Sequence, residues 1–119
     1  MQKELKLVEE FHKKFRALIG NEPQNIPKDR IKLRFELMKE EVDEYFQGAS
    51  KKDIENVAKE LADILYAVYG TIIEHGLQYR FEEIFTEVHR SHMSKDYSQY
   101  KMIKGKSYFE PDLKKFFKK

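Results

Sequence analysis

Apolar residues recur at intervals of three and four along most of the chain, the period of a helix with one face turned inward. Leu7, Phe11, Phe15 and Leu18 make such a stripe over residues 3–19, with Val8 and Ile19 beside it. Gly20-Asn21 stops it, and Pro23 and Pro27 stiffen the loop that follows. A second helix is predicted over residues 28–46, ending at Gln47-Gly48, with Ile31, Phe35, Met38, Val42, Tyr45 and Phe46 on one face. Ser50, with Asp53 three residues on, has the spacing of a capping box and opens a third helix that reaches about His75, where Gly76 ends it. Its stripe is Ile54, Val57, Leu61, Ile64, Leu65, Val68 and Ile72. Residues 79–94 repeat the pattern through Phe81, Ile84, Phe85 and Val88, and a short last helix is predicted to start at Glu110-Pro111-Asp112-Leu113. The prediction is an all-α protein, a four- to five-helix bundle in which residues 1–119 form one domain and 96–119 are a C-terminal arm.

Two groups of acids break this pattern. At about 100° per residue, Leu33 and Leu37 leave the main face of the second helix, and Glu40, Glu41 and Glu44 flank them there. Asp63 interrupts the most apolar run of the protein, and with Glu60 it shares an arc with the small residues Ala67 and Gly70. Residues three apart are neighbours on a helix, so two such helices packed antiparallel bring four or five carboxylates around one point. Uncompensated, that charge repels itself and raises carboxyl pKa values. A hard divalent cation held by oxygen is one compensation; an Arg or Lys paired with Asp63 is the other. All-oxygen ligation suits Mg²⁺, with Mn²⁺ as a substitute, and Mg²⁺ chemistry of this kind acts on phosphate esters or anhydrides. His12, beside Phe11 and Phe15, reads first as a buried polar group satisfied by a neighbour.

Composition narrows the chemistry. With no Cys there are no thiolate metal sites and no disulfides. No Ser stands in a Gly-x-Ser-x-Gly context, the glycines are too scattered for a phosphate loop, and His-Glu-x-x-His is absent. A di-iron bundle needs two Glu-x-x-His pairs, and Glu9-x-x-His12 is the single instance. The N-terminus lacks the apolar stretch of a signal peptide and no apolar run is long enough to span a bilayer, so a cytoplasmic protein with no membrane partner is expected. The net charge of +2 hides an asymmetry: residues 1–94 carry 15 Lys/Arg against 18 Asp/Glu, residues 95–119 carry 8 Lys against 3 Asp/Glu. That basic segment suits an anion.

The spacing Glu41-x-x-Glu44, fifteen residues, Glu60-x-x-Asp63 resembles the signature of the all-α nucleoside triphosphate pyrophosphohydrolases, the MazG-like and phosphoribosyl-ATP pyrophosphatase superfamily. Arg34-x-x-Leu37-x-x-Glu40-Glu41, Glu60-Leu61-Ala62-Asp63-Ile64-Leu65-Tyr66, Tyr69-Gly70-Thr71, His75-Gly76 and His89-Arg90-Ser91-His92-Met93-Ser94-Lys95 are similar to a MazG-like subgroup. So is the tail, Lys104-Gly105-x-x-Tyr108-Phe109-x-Pro111-Asp112-Leu113. The resemblance implies Mg²⁺-dependent hydrolysis of a ribo- or deoxyribonucleoside triphosphate to the monophosphate and pyrophosphate. It implies Glu41, Glu44, Glu60 and Asp63 as metal ligands, with Glu40 a further ligand or the base that orients water beside Glu41. Lys95, Lys104 and Tyr108 would meet the triphosphate, Arg90 and His92 join them as substrate contacts, and His12 and Phe15 are candidates for the base pocket. His92 stands where the family often has Asn, which changes the hydrogen-bonding pattern offered to a base or sugar. Nucleic acid is disfavoured as the partner of the basic arm. A homodimer or homotetramer is implied, and Phe35, Tyr45, Phe46, Tyr66, Tyr69, Phe81 and Phe85 independently exceed what one face per helix needs to bury. Two other readings stay open: a phosphoribosyl-ATP pyrophosphatase, and a catalytically silent helical oligomer that binds nucleotides or a partner.

Overall fold

A computed structural model describes residues 1–117. The chain forms four α-helices, α1 (Gln2–Lys14), α2 (Lys28–Ser50), α3 (Ile54–Glu74) and α4 (Phe81–His92), and a 3₁₀ turn at Lys114–Phe116. Among the described residues there is no strand, only an isolated antiparallel bridge between Asp96 and Ile103. Among the described residues no helix is long and apolar enough to cross a membrane. The chain divides into two compact units, Met1–Gln78 and the residues from Tyr79 onward.

In the first unit, α2 and α3 are joined by only three residues, Lys51 to Asp53, which forces an antiparallel hairpin. The register shows in the side-chain pairs. Arg30 meets Glu74, Arg34 meets Thr71 and the Ala67 carbonyl, and Met38 meets Thr71. α1 packs against α3. The segment after α1 is tied to the C-terminal end of α3: the Gly20 amide donates to the Ile73 carbonyl at 2.8 Å and the Gln24 amide to the His75 carbonyl at 2.9 Å. The Gln78 side chain donates to the Gly20 carbonyl at 2.9 Å.

Helix boundaries depart from expectation where the backbone turns into the left-handed region. α1 stops at Lys14, short of residue 19, because Arg16 turns into the left-handed region at φ +58° and the Ala17 amide bonds the His12 carbonyl. α2 runs through Gly48 to Ser50, and Lys52 makes the turn with φ +58°. Ser50 therefore does not cap α3; its hydroxyl donates to the Phe46 carbonyl at 2.7 Å. Asp53 is the cap, accepting from the Asn56 amide at 3.2 Å. Gly76 ends α3 as expected, with φ +68°. In the second unit, α4 begins at Phe81 rather than residue 79, and the last helix shrinks to the single 3₁₀ turn.

The larger departure concerns which faces are inside. α1 buries Leu5, Val8 and His12, while Leu7, Phe11 and Phe15 stay exposed. α2 turns Arg34, Leu37, Glu41 and Glu44 toward α3, and Ile31, Phe35, Val42 and Phe46 of the strongest apolar stripe remain exposed. On α3, Glu60, Ala67, Gly70, Ile72, Ile73 and Glu74 are buried, whereas Ile54, Leu61 and Leu65 are not. Small residues and paired charges fill the interior of the hairpin, so the richest apolar faces are left outside it.

Candidate metal centre

The two acid pairs converge. One carboxylate oxygen each from Glu41, Glu44, Glu60 and Asp63 can be chosen so that all four lie within 4.8 Å of one another. Glu60 is buried, the other three half-buried. The antiparallel register makes this possible: pairs three residues apart, on opposing helices at the same level, aim four carboxylates into one space.

Such crowding has an electrostatic consequence. Burial, and then the charges of Glu44 and Asp63, push the Glu41 carboxyl up to about 7 from its usual 4.5. Burial and Glu44 raise Glu60 as well. Lys59 supplies a cation at the edge of this cluster. Lys59 reaches Asp63 Oδ2 at 2.7 Å and Glu60 Oε1 at 3.7 Å, and its own pKa is raised chiefly by the hydrogen bond to Asp63. That exposed lysine realises part of the salt-bridge alternative for Asp63, but it leaves the centre under-compensated. Glu41 Oε2 and Glu60 Oε2 are buried without any hydrogen-bond partner. Buried polar atoms are nearly always satisfied, and two orphaned carboxylate oxygens facing a third and fourth acid fit a hard divalent cation. The donor set is all oxygen, which suits Mg²⁺, Mn²⁺ or Ca²⁺ rather than a thiophilic ion.

Glu40 is not among these ligands. It is exposed, beside a depression lined by Glu36, Lys39, Asp43, Glu44 and Gln47. A cavity of about 240 Å³ adjoins the acids on the other side, lined by Phe11, His12, Arg34, Leu37, Glu41, Asp63, Tyr66 and Ala67. His12 is thus brought to the centre. Phe15 is 59% exposed and does not line the cavity; Phe11, tilted against it with ring centroids 4.6 Å apart and edge-on to Tyr66 at 5.4 Å, takes that place.

The pairing of Arg34 with Glu74 is not legible in local sequence spacing, because the two lie forty residues apart. Glu74 is fully buried and receives Arg30 through Nε at 2.9 Å and Nη2 at 2.6 Å, with Arg34 Nη1 at 3.1 Å. Arg34 also donates to Thr71 Oγ1 and the Ala67 carbonyl, which pins its guanidinium in the cavity wall. An acid straight after Ile72-Ile73, opposite two arginines four apart, was the available signal.

In the second unit the remaining candidates lie on α4 and the segment after it. His92 and Lys104 are exposed, Lys95 and Tyr108 half-buried. Lys104 Nζ sits 5.0 Å from the Tyr108 ring centroid and 3.8 Å from Glu110 Oε1. Arg90 is engaged internally: Nε and Nη2 donate to Glu87 at 2.9 and 3.1 Å, and its guanidinium lies 4.4 Å over the Phe109 ring. Glu87 also accepts from the Asp112 amide at 2.7 Å. The Arg90 hydrogen bonds and then the Asp112 amide hold its carboxyl down at about 2. Ser91 Oγ donates to the Phe109 carbonyl and the Phe109 amide to Ser94 Oγ, so residues 109–112 are fastened to α4. Gly105 lies against the Asp96 carboxylate, which a side chain at that position would have to displace.

An all-α hairpin carrying four convergent carboxylates defines a class of divalent-metal-fitting helical proteins. The family profile described as Phosphoribosyl-ATP pyrophosphohydrolase matches residues 8–92. The chain belongs to that family, an all-α superfamily of hydrolases acting on pyrophosphate bonds that includes MazG-like proteins. A comparison with curated proteins finds no match.

Proposed function

We propose that the protein is a Mg²⁺-dependent nucleoside triphosphate pyrophosphohydrolase, releasing pyrophosphate and a nucleoside monophosphate. The observation that carries this is the convergence of Glu41, Glu44, Glu60 and Asp63 within 4.8 Å, with two buried oxygens unpartnered. Those four residues would hold the ion, with Mn²⁺ as a functional substitute. When bound, it supplies charge neutralisation at phosphate oxygens and a more acidic water.

The chain's own residues do the rest. Burial and the charge of Glu44 raise the proton affinity of Glu41, so a bound cation would favour its ionised form. Glu40 is assigned to the attacking water, a role that contributes about 10²–10⁴-fold when filled by a positioned base. Lys95, Lys104 and Tyr108 are assigned to the phosphates, and His92 to the substrate. Arg90, committed to Glu87 and Phe109, serves the arm rather than the substrate. Four apolar side chains of α2, Ile31, Phe35, Val42 and Phe46, are each half-exposed or more. A stripe of that kind supports a second copy of the chain as partner, in a homodimer or homotetramer.

Pyrophosphate release from a panel of ribo-, deoxyribo- and modified triphosphates, with phosphoribosyl-ATP included and Mg²⁺ present or absent, tests the proposal. Turnover of a triphosphate that needs the ion supports it. Turnover of phosphoribosyl-ATP alone transfers the site to that substrate, and no turnover of any leaves a nucleotide- or partner-binding oligomer.

A further inference from the structure

We infer that Lys59 competes with the metal ion for Asp63: its ammonium holds that carboxylate in an ion pair that a divalent cation must displace. Lys59 thereby sets the ion concentration at which the acid centre fills. The inference rests on the metal-centre reading and adds to it how loading of that centre is regulated.

Lys59 and two of the four acids, Glu60 and Asp63, stand on α3. Lys59 Nζ donates to Asp63 Oδ2 at 2.7 Å, the length of a charge-assisted hydrogen bond, and lies 3.7 Å from Glu60 Oε1. The lysine is therefore bonded to one of the four convergent carboxylates themselves, not to a group behind them. It compensates only the rim. Glu41 Oε2 on α2 and Glu60 Oε2 on α3 stay buried without a partner.

Three features make the lysine the group that leaves. An ammonium and a divalent ion on one carboxylate repel each other, and the ion carries twice the charge. The Lys59 side chain is 67% exposed on a flexible stem, so its ammonium passes into water at little loss. Exposed ion pairs of this kind contribute little stability, and a lysine four residues before its acid is the weaker order of such a pair on a helix. The contact screens an acid crowded by Glu60, yet it yields to an ion that oxygen ligands from both helices can hold at once. Each ion that binds does so after breaking this pair and against the positive charge left beside it. By Coulomb's law a unit charge so near a divalent ion weakens its binding by about tenfold even in a water-like dielectric.

The test is calorimetric Mn²⁺ binding to the full chain at low ionic strength, without nucleotide, for wild type, Lys59→Met, Lys59→Arg and Lys13→Met. Lys59→Met keeps an unbranched stem and loses the charge. It should bind Mn²⁺ about tenfold more tightly than wild type, and its melting temperature should rise more when the ion is added. Lys59→Arg keeps the charge and should bind no more tightly than wild type. Lys13→Met makes the same change of net charge on α1, where Lys13 pairs with Glu9, and should bind as wild type. Displacement itself is read by acetylation: Mn²⁺ should speed labelling of the wild-type Lys59 amine relative to that of Lys13, located by mass spectrometry. Equal or weaker binding by Lys59→Met overturns the inference and leaves the metal centre in place. So does tighter binding by Lys59→Arg, an equal gain in Lys13→Met, or labelling of Lys59 that the ion does not change. Uptake of Mn²⁺ by Lys59→Met where wild type shows none supports the inference. If neither takes up Mn²⁺, the metal centre and the proposed function fail, and this inference fails with them.

Discussion

Arg30 grips Glu74 with two parallel hydrogen bonds, Nε at 2.9 Å and Nη2 at 2.6 Å, across the antiparallel hairpin of α2 and α3. Glu74 is fully buried, and Arg34 joins the same carboxylate at 3.1 Å. Removing one partner of a buried pair strands the other in a low-dielectric interior, at a cost of about 3–5 kcal/mol. Glu74→Ala should therefore destabilise the fold by that order in urea melts. Because Arg34 also walls the cavity beside the acids, the same variant should weaken nucleotide binding under conditions where it is still folded. An unchanged melting midpoint would refute the structural role given to this ion pair.

The acid centre should trade stability for function. In the metal-free protein the Glu41 carboxyl titrates near 7 while the unfolded chain titrates near 4.5. Between those values the folded state binds more protons than the unfolded state, so stability falls as pH rises through this window. Glu41→Gln should abolish turnover and raise metal-free stability at pH 7.5 by roughly 1–3 kcal/mol. Asp63→Asn should likewise lose turnover with its circular dichroism intact. Saturating Mg²⁺ should stabilise wild type and not Glu41→Gln. Unfolding of both variants would mark the acids as structural.

Glu87 should behave in the opposite sense. Its folded value near 2, against 4.5, means that the unfolded chain takes up protons first as pH falls. Its contribution is complete above about 4.5 and is lost as pH falls through about 2. Glu87→Gln should flatten the acid limb of the stability profile. Amide exchange over residues 109–112 should also quicken, since the Asp112 amide donates to this carboxylate. Unaltered exchange there would dismiss the latch.

Phe35 is 58% and Phe46 70% exposed, on a stripe with Ile31 and Val42. Phe35→Glu should reduce the mass measured by light scattering from that of a dimer or tetramer to that of a monomer, with helix content retained. A wild-type chain that is monomeric at all working concentrations would remove the oligomer from the proposal.

Periodicity along the chain determined the helical class, the approximate positions of all four α-helices and the stop at Gly76, because a 3.6-residue repeat and a glycine in the left-handed region are local properties. It also singled out Glu41, Glu44, Glu60 and Asp63, since their pairwise spacing of three is written in the sequence and a short turn forces the two helices antiparallel. Tertiary structure alone decided which stripe faces inward. The strongest apolar face of α2 points out, and Arg34, Leu37, Glu41 and Glu44 point toward α3. Burial depends on which groups find partners across the hairpin, and the partners of Arg34 lie 33 to 40 positions away. For the same reason the chain alone could not substitute Phe11 for Phe15 beside the cavity or commit Arg90 to Glu87. Those are non-local packing relations, fixed only when the helices meet.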